Sequence, residues 1–216
     1  MYKQDNITIH NSDCMDIMKQ YEDNYFDLAI VDPPYGIARF GDRVADKSSR
    51  AIDAKINKWD VAPDPEYFEE LFRVSKDQII WGANNFTLPK SEYFCVWDKE
   101  QTVDNFATAE YAWISMGVGK PAKIFRYSIH KTMSDRKSEG GKIHPTQKPV
   151  KLYSWIYQNY AEQGQKILDT HGGSFSNAIA AHYAKMGEFV GVELDEDYYK
   201  AACERIRKET RQLELF

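Results

Sequence analysis

The stretch that decides the fold is Asp27-Leu28-Ala29-Ile30-Val31-Asp32-Pro33-Pro34-Tyr35-Gly36. Residues 28–31 form a short unbroken apolar run, which is typical of a strand buried on both faces of a parallel sheet. The strand ends abruptly at Asp32, because the two prolines that follow have no backbone N–H and cannot continue a ladder. A carboxylate, a rigid turn and an aromatic ring therefore lie at the carboxyl end of a central strand, where open α/β sheets place their sites.

This corner suits a planar substrate that carries an amino group, since Asp32 and a prolyl carbonyl can each accept one amino hydrogen while Tyr35 stacks on the ring. The run Asp32-Pro33-Pro34-Tyr35 resembles the DPPY signature of the S-adenosylmethionine-dependent DNA amino-methyltransferases, and is most typical of members that methylate N6 of adenine. The resemblance implies that these four residues are catalytic and that Asp32 also lies beside the cofactor.

A second motif, His144-Pro145-Thr146-Gln147-Lys148-Pro149, precedes a predicted helix. It resembles the HPxQKP element of the permuted, β-type amino-methyltransferases, where this element packs around the methionine end of the cofactor. The resemblance implies cofactor contacts for His144, Thr146 and Lys148. Without the resemblance, the same hexapeptide is interpreted as a turn before the helix.

The third motif is a strand, a glycine-bearing turn and a helix start over residues 166–175. Such an arrangement is of the dinucleotide type, because glycines let the backbone approach a ligand and free N–H groups favour its anionic atoms. The next strand ends in Glu193, 24 residues after Asp169, a spacing that suits a ribose hydroxyl acceptor. The residues of this motif predicted to bind S-adenosylmethionine are Asp169, His171, Gly172, Gly173, Ser174 and Glu193.

Two positions near the first strand match a further family feature, an acidic residue close to the adenine ring of the cofactor. They are Asp13 and Cys14, although Asp13 fits equally well as a helix cap. One departure concerns the glycine turn, where the family pattern is roughly D-P-F-x-G-S-G and the chain has Thr170-His171 for Pro-Phe and Phe175 for the last glycine. Phe175 either crowds the cofactor pocket or turns into the core while Gly172 supplies the flexibility.

Periodicity and turn residues predict alternating strands and helices over the whole chain. The predicted strands are 7–10, 28–31, 78–82, 93–97, 109–115, 123–127, 166–169 and 189–193. The predicted helices are 14–18, 65–76, 150–163, 175–185 and 196–212. The resemblance implies an α/β, Rossmann-like methyltransferase fold: one domain over residues 1–216, with a seven-stranded, mostly parallel sheet, an antiparallel edge and circularly permuted motif order.

Two segments are candidates for contact with double-stranded DNA. Residues 37–60 are polar and weakly periodic, which predicts a long functional loop. Residues 120–148 carry a local net charge of +6 in a chain whose total is −5, so a phosphate backbone would dock there; residues 128–142 within this segment are predicted to be a flexible loop. The predicted DNA-binding residues are Arg39, Arg43, Lys123, Arg126, Lys131, Arg136 and Lys137.

Composition excludes several other classes of protein. The chain has no apolar run of about 18 residues, so no membrane span is expected, and its first residues do not resemble a signal peptide. Its three cysteines are scattered and lack the spacing of metal ligands, so neither a disulfide framework nor a metal site is expected. These features predict a reduced, cytoplasmic protein.

The leading hypothesis is methylation of N6 of adenine in double-stranded DNA after base flipping, as in restriction-modification systems. N4-cytosine methylation is the first alternative, although those enzymes more often have serine in place of Asp32. Methylation of RNA or of a protein amide usually goes with asparagine there. A degenerate, non-catalytic DNA-binding protein is favoured by Phe175 and opposed by the intact DPPY run. Dimers are common in the family, so the resemblance also allows a homodimer.

Overall fold

A computed structural model of the chain describes residues 1–36, 60–102, 104, 107–138 and 141–211. Within these ranges, nine strands form one sheet that is flanked by helices. The strands are β1 (Tyr2–Gln4), β2 (Ile7–Asn11), β3 (Phe26–Val31), β4 (Ser75–Trp81), β5 (Phe94–Asp98), β6 (Ala109–Ile114), β7 (Lys123–Arg126), β8 (Lys166–Asp169) and β9 (Glu188–Glu193). The helices are α1 (Cys14–Met18), α2 (Pro65–Val74), α3 (Ile129–Ser138), α4 (Val150–Tyr160), α5 (Ser176–Tyr183) and α6 (Glu196–Arg211).

The strand order is β1-β2-β9-β8-β3-β4-β6-β5-β7. Only β1 and β6 run against the other strands, so the predicted α/β class with a mostly parallel sheet is confirmed. The predicted count of seven strands is wrong. Eight of the nine strands coincide with predicted apolar runs; the ninth, β1, has only three residues and forms by pairing with β2, which a short pattern does not reveal.

Helices cover both faces of the sheet, and each face has its own apolar core. On one face, the core contains buried residues of α4, α5 and α6, among them Leu152, Ile179 and Ile206. On the other face, the core contains residues of α1 and α2, among them Met18 and Leu71. Apolar faces on both sides explain why the central strands β3, β8 and β9 have nearly continuous apolar sequences.

The structure corrects the prediction of a flexible loop over residues 128–142, since residues 129–138 form helix α3. Ser128 starts the helix: its hydroxyl oxygen accepts from the Lys131 amide at 3.2 Å, and its carbonyl oxygen accepts from the Thr132 amide at 3.0 Å. Thr132 is fully buried and anchors the helix. The basic residues that suggested a loop are also good helix formers, and residues 129–138 contain neither glycine nor proline.

The seven strands that run in one direction end at the same edge of the sheet, here called the carboxyl edge. Strands β3 and β8 are neighbours, with Ala29 opposite Leu168, so the proline turn after β3 and the glycine turn after β8 lie side by side. Because β6 runs the other way, it begins at the carboxyl edge and brings Glu110 there.

Candidate active site

The proline turn presents the carboxylate of Asp32 at the end of β3. Asp32 Oδ1 accepts a hydrogen bond of 2.7 Å from the Tyr35 hydroxyl, and Oδ2 accepts one of 2.5 Å from Lys148 Nζ. Asp60 closes the turn from outside, since its Oδ1 accepts from the amides of Tyr35 and Gly36, each at 3.0 Å. These bonds fix the Asp32 carboxylate and leave it free lone pairs, because a carboxylate can accept about four hydrogen bonds.

The ring of Tyr35 lies directly against the backbone after β4. Gly82 has φ +67°, and a Cβ atom added there would lie 2.0 Å from Tyr35 Cε1. Phe86 packs against the ring edge-on, with centroids 6.1 Å apart. Burial and the nearby charge of Asp32 raise the pKa of Tyr35, so its hydroxyl is protonated and donates to Asp32.

The ammonium of Lys148 contacts the carboxylate of Asp32 and belongs to a buried chain of alternating charges, here called the charge chain. Its Nζ is 2.5 Å from Asp32 Oδ2 and 3.0 Å from Glu110 Oε2, and Glu110 Oε1 is 2.5 Å from Lys99 Nζ. Burial alone would lower the pKa of Lys148, but Asp32 and Glu110 hold it well above its ordinary value. Burial alone would raise the pKa of Glu110, but Lys148 and Lys99 lower it to about 2. Lys148 and Glu110 therefore both carry their charges at neutral pH.

The glycine turn joins β8 to α5 beside Asp32. The Gly173 amide donates to Glu193 Oε2 at 2.8 Å, and the Gly172 amide donates to the Val192 carbonyl at 2.9 Å, so the turn is bound to β9. Asn177 links the two halves of the site, because its Nδ2 donates both to Asp169 Oδ2 at 3.0 Å and to the Ile30 carbonyl at 3.2 Å. Burial raises the pKa of Asp169 to about 7, although the bonds from Asn177 and from the His171 amide oppose the rise.

Phe175 turns into the core beneath the glycine turn. It is fully buried, has φ +51°, and packs edge-on against Phe189 with centroids 6.5 Å apart. Gly172 and Gly191 make room for its ring, since a Cβ atom at either position would lie within 2.3 Å of the ring carbon Cε1. Of the two interpretations left open by the sequence, the structure therefore has Phe175 as core packing.

His171 and its neighbours form a polar chain behind the glycine turn. Its Nδ1 lies 2.9 Å from Thr170 Oγ1, which lies 2.6 Å from the Tyr67 hydroxyl, and the rings of His171 and Tyr67 meet edge-on. Burial lowers the pKa of His171 to about 4, so the imidazole is neutral near pH 7. The Thr170-His171 pair that departs from the family pattern thus has hydrogen-bonding partners inside the fold.

The remaining predicted cofactor residues lie around the same turn. Asp13 Oδ1 caps α1 by accepting from the Met15 amide at 2.8 Å, so its interpretation as a cap holds in the structure. Burial and Asp13 raise the pKa of the Cys14 thiol to about 12. The His144 ring approaches Gly173 and packs edge-on against Tyr198 at 4.4 Å. His144 Nδ1 is 3.1 Å from Thr146 Oγ1, and Ser174 is buried, with Arg205 Nη1 donating to its carbonyl at 3.0 Å.

The predicted DNA-binding residues fall in different places. Arg126 ends β7 at the carboxyl edge, where its Nε is 3.4 Å from Asp98 Oδ2. The exposed Lys131 lies in the first turn of α3, whose Ile129 amide donates to the carbonyl of Lys99, just after β5, at 2.9 Å. Lys123 begins β7 at the opposite edge, where its Nζ donates to Asn159 Oδ1 at 2.6 Å. Arg39 and Arg43, with the rest of segment 37–59, lie outside the described residues, as do the side chains of Arg136 and Lys137.

Four residues of this site were not predicted from the sequence. Glu110 and Lys99 complete the charge chain, Asp60 closes the proline turn, and Gly82 makes room for Tyr35. Glu110 had a usable signal, since it is the one charged residue in the otherwise uncharged predicted strand 109–115. Asp60 has no such signal in the sequence, because its role depends on its contact with a turn that lies 25 positions earlier in the chain.

The described part of the chain adds three general observations. None of its helices is both long enough and apolar enough to cross a membrane. In the same ranges, no group of three or more His, Cys, Asp or Glu side chains is arranged to hold a metal ion. The thiols of Cys14, Cys95 and Cys203 are free.

Comparison with known proteins gives a family match and several relatives. The N6_N4_Mtase family, described as DNA methylase, matches residues 68–204, which is more than half of the chain. The chain is 25% identical to the Type II methyltransferase M2.MboI of Moraxella bovis over 247 aligned residues, covering 95% of this chain and 89% of that relative.

Solved structures share the fold at low sequence identity. The cytosine-N4-specific PvuII DNA methyltransferase superposes with a TM-score of 0.60 at 13% identity, covering 97% of this chain and 92% of that one. TTHA0409, a putative DNA modification methylase from Thermus thermophilus solved in complex with S-adenosyl-L-methionine, gives a TM-score of 0.55 at 15% identity, covering 93% and 95%. These likenesses confirm the predicted Rossmann-like methyltransferase fold.

Proposed function

The chain belongs to the N6/N4 DNA methylase family, and from this premise we propose that it methylates the N6 amino group of adenine in double-stranded DNA. The observation that carries the proposal is the junction of the two turns: Asn177 Nδ2 bonds both the β3 backbone just before Asp32 and the carboxylate of Asp169. The Asp32 carboxylate and the glycine turn therefore lie side by side, which supports a transfer between two molecules bound there.

The methyl donor is S-adenosylmethionine, as the sequence predicted. Its chemistry is the supply of a methyl group from a positively charged sulfur. The residues around the glycine turn fit such a ligand, because Asp169, Glu193 and Asp32 bring three carboxyl groups to this part of the edge, where they can accept hydrogen bonds from its ammonium and hydroxyl groups. We assign Glu193 to the ribose hydroxyls, and Asp13 and Cys14 to the adenine end. His144, Thr146 and the turn 169–174 are assigned to the methionine end.

The target base reaches the site only after it is flipped out of the duplex. Asp32 and a carbonyl oxygen of the proline turn then accept the two amino hydrogens, which returns electron density to a nitrogen whose lone pair is delocalised into the ring. Asp32 also stabilises the positive charge that develops on this nitrogen. Tyr35 keeps Asp32 oriented through its hydroxyl and offers its ring to the base.

Two observations favour an active adenine methylase over its rivals. Position 32 is aspartate, where N4-cytosine enzymes more often have serine and protein-amide or RNA enzymes asparagine. Phe175, which favours a degenerate protein in the sequence, is fully buried and packs against Phe189 beneath the glycine turn. N4-cytosine remains the second candidate, because the same acceptors suit either exocyclic amine.

The DNA lies over the carboxyl edge in this proposal. Arg126 and Lys131 are assigned to phosphate contacts, and Arg39, Arg43, Arg136 and Lys137 stay in the predicted set. Lys123 is left out of this set, because its ammonium is bound to Asn159 at the other edge of the sheet.

The test is methyl transfer from labelled S-adenosylmethionine to genomic DNA, followed by nucleoside analysis of the product. N6-methyladenine supports the proposal, N4-methylcytosine replaces it with the second candidate, and no methylated base indicates a non-catalytic protein. Asp32→Asn should lose at least about 100-fold in turnover while cofactor affinity stays within a few-fold. Asp5→Asn, an exposed change at the far edge, is the control. Full turnover by Asp32→Asn would remove Asp32 from the mechanism.

A further inference from the structure

We propose that Glu110 is a positioning residue that holds Lys148 against Asp32 and balances the charge of Lys148, so that Asp32 keeps its strength as an acceptor for the amino hydrogens of the target base. This inference rests on the proposed function of Asp32. It gives a role to Glu110 and Lys99, which carry none in the sequence motifs.

The geometry of Lys148 leads to this inference. Its side chain is only 5% exposed, and its ammonium lies between two carboxylates, 2.5 Å from Asp32 Oδ2 and 3.0 Å from Glu110 Oε2. The face of Trp81 closes a third side, with the ring centroid 5.7 Å from Nζ. A buried ammonium with two acid partners has little freedom to move, so Lys148 fixes the position of Oδ2 while Tyr35 fixes Oδ1.

Charge balance decides what Glu110 adds. A lone lysine paired with Asp32 would neutralise the carboxylate that must attract amino hydrogens and stabilise positive charge on nitrogen. Glu110 draws the same ammonium from the other side, so the charge of Lys148 is shared between two acids. Lys99, 2.5 Å from Glu110 Oε1, keeps Glu110 ionised and in place. Electrostatic interactions of this kind are strong where water is excluded.

Other titratable groups also surround Asp32, and neither variant replaces any of them. Within the described ranges, four of them interact with Asp32 electrostatically or by a hydrogen bond. They are Tyr35 in the same turn, Tyr67 in α2, Asp169 in β8 and Tyr153 in α4. Because Asp169 is coupled to Asp32, and Tyr153 to Lys148 and Glu110, a shift is attributed to the charge chain only when it is seen in the signal of Asp32 itself.

The test compares Glu110→Gln and Lys148→Met in the whole chain of 216 residues. In Glu110→Gln, Asp32 is the one remaining acidic partner of Lys148 among the described residues, so the ammonium favours the ionised form of Asp32 more strongly. The acid limb of the kcat/KM–pH profile should therefore move to lower pH by about one unit. Losing Lys148 removes the cation, so the limb should move to higher pH, and kcat should fall by about 100-fold because Asp32 loses its position. Glu92→Gln and Lys151→Met are controls that remove the same charges from exposed sites.

A second measurement does not depend on turnover. Carboxyl-detected NMR, with the Asp32 signal assigned through Asp32→Asn, follows the titration midpoint of Asp32 in each variant, and the midpoint should move in the same opposite directions. Midpoints that stay fixed, or that move the same way in both variants, overturn the inference. If Lys148→Met does not fold, a downward shift in Glu110→Gln supports it and no shift overturns it. Absence of methyl transfer by the unaltered protein instead overturns the proposed function, while the NMR titration still decides the role of Glu110.

Discussion

Single residues in this site are explained by what their side chains contact in the folded chain. Phe175 occupies a position where the related pattern has glycine, and it takes the left-handed φ of +51° that glycine would take. The fold tolerates this strain because the ring fills a core space made by Gly172 and Gly191. The departure is therefore a local repacking of the core beneath the turn.

Phe175→Gly should weaken the fold without improving the cofactor site. The substitution relieves the positive φ but removes a fully buried ring, so the free energy of unfolding should fall by about 3 kcal/mol. Urea denaturation measures the loss, and titration calorimetry should show no gain in S-adenosylmethionine affinity. The control is Lys185→Gly, an exposed residue at φ +57°, which should gain up to about 1 kcal/mol. Tighter cofactor binding by Phe175→Gly would show that the ring restricts the cofactor pocket.

His171→Phe should change how stability depends on pH. The folded-state pKa of His171 is about 4, below the ordinary value of 6.5. Between pH 6.5 and pH 4, His171 is therefore protonated in the unfolded chain but not in the folded protein. The free energy of unfolding decreases as the pH falls through this range.

The variant lacks this loss, so on going from pH 7.5 to pH 4.5 it should lose roughly 2 kcal/mol less than the unaltered protein. Denaturant unfolding at the two pH values measures the difference. The raised pKa of Asp169 acts with the opposite sign over a similar range, but it is present in both proteins and cancels in the comparison. Parallel pH dependences would mean that His171 is protonated as easily in the folded state as in the unfolded chain.

At the scale of elements, the site depends on how strand ends meet. Strand β4 ends at Trp81, and Gly82 with φ +67° turns the chain into a short 3-10 segment, Ala83–Asn85. The absence of a side chain at Gly82 creates the space that the Tyr35 ring occupies, and Tyr35 in turn bonds Asp32. A backbone feature of one strand end thus positions the carboxylate of the neighbouring strand.

Gly82→Ala should impair catalysis through Tyr35. The new methyl group would lie 2.0 Å from Tyr35 Cε1, so the ring must move and the Tyr35–Asp32 bond must break. We expect kcat to fall by about 100-fold while cofactor affinity changes little, since the glycine turn is on another strand. Gly119→Ala, which has a similar φ of +61° but open surroundings, controls for backbone strain alone. Equal effects of the two variants would show that Tyr35 does not need this space.

At the scale of the molecule, residues from distant parts of the chain meet along one edge of the sheet. In the proposed function, residues 13–14 and 144–193 supply the cofactor contacts, whereas the base would lie against the proline turn, near Asp60 and the beginning of β6. The chain is acidic overall with a net charge of −5, yet its basic segment continues from the carboxyl edge through α3. In the proposed complex, this positive charge would lie beside the extruded base.

DNA binding should therefore weaken with salt through this edge. Arg126→Ala and Lys131→Ala should each reduce the slope of log K against log salt by about 1, because each removes one phosphate contact. Fluorescence anisotropy with a duplex probe over a range of salt concentrations measures the slopes. Lys3→Ala, at the opposite edge, should leave the slope unchanged. Equal slopes for all three variants would show that the DNA does not lie over Arg126 and Lys131.

Much of this protein follows from the sequence by itself. Short apolar runs that end in Asp32 and Asp169 determine the buried parallel strands and place both turns at one edge, because parallel strands end together. The proline pair and the glycines act locally, so their turns are readable without a structure. The basic residues of α3 suit a helix and a loop equally, so local sequence alone does not distinguish the helix from the loop predicted for residues 128–142.

Only the tertiary structure decided the rest, because it depends on contacts between residues far apart in the chain. Lys148 reaches Asp32 across 116 positions, and Glu110 joins them only because β6 runs antiparallel and begins at the carboxyl edge. The direction of the Phe175 ring likewise depends on the space above Gly191 on another strand. Local pattern fixes where a strand ends, whereas the partner of a charge or a ring is set by the packing of the whole sheet.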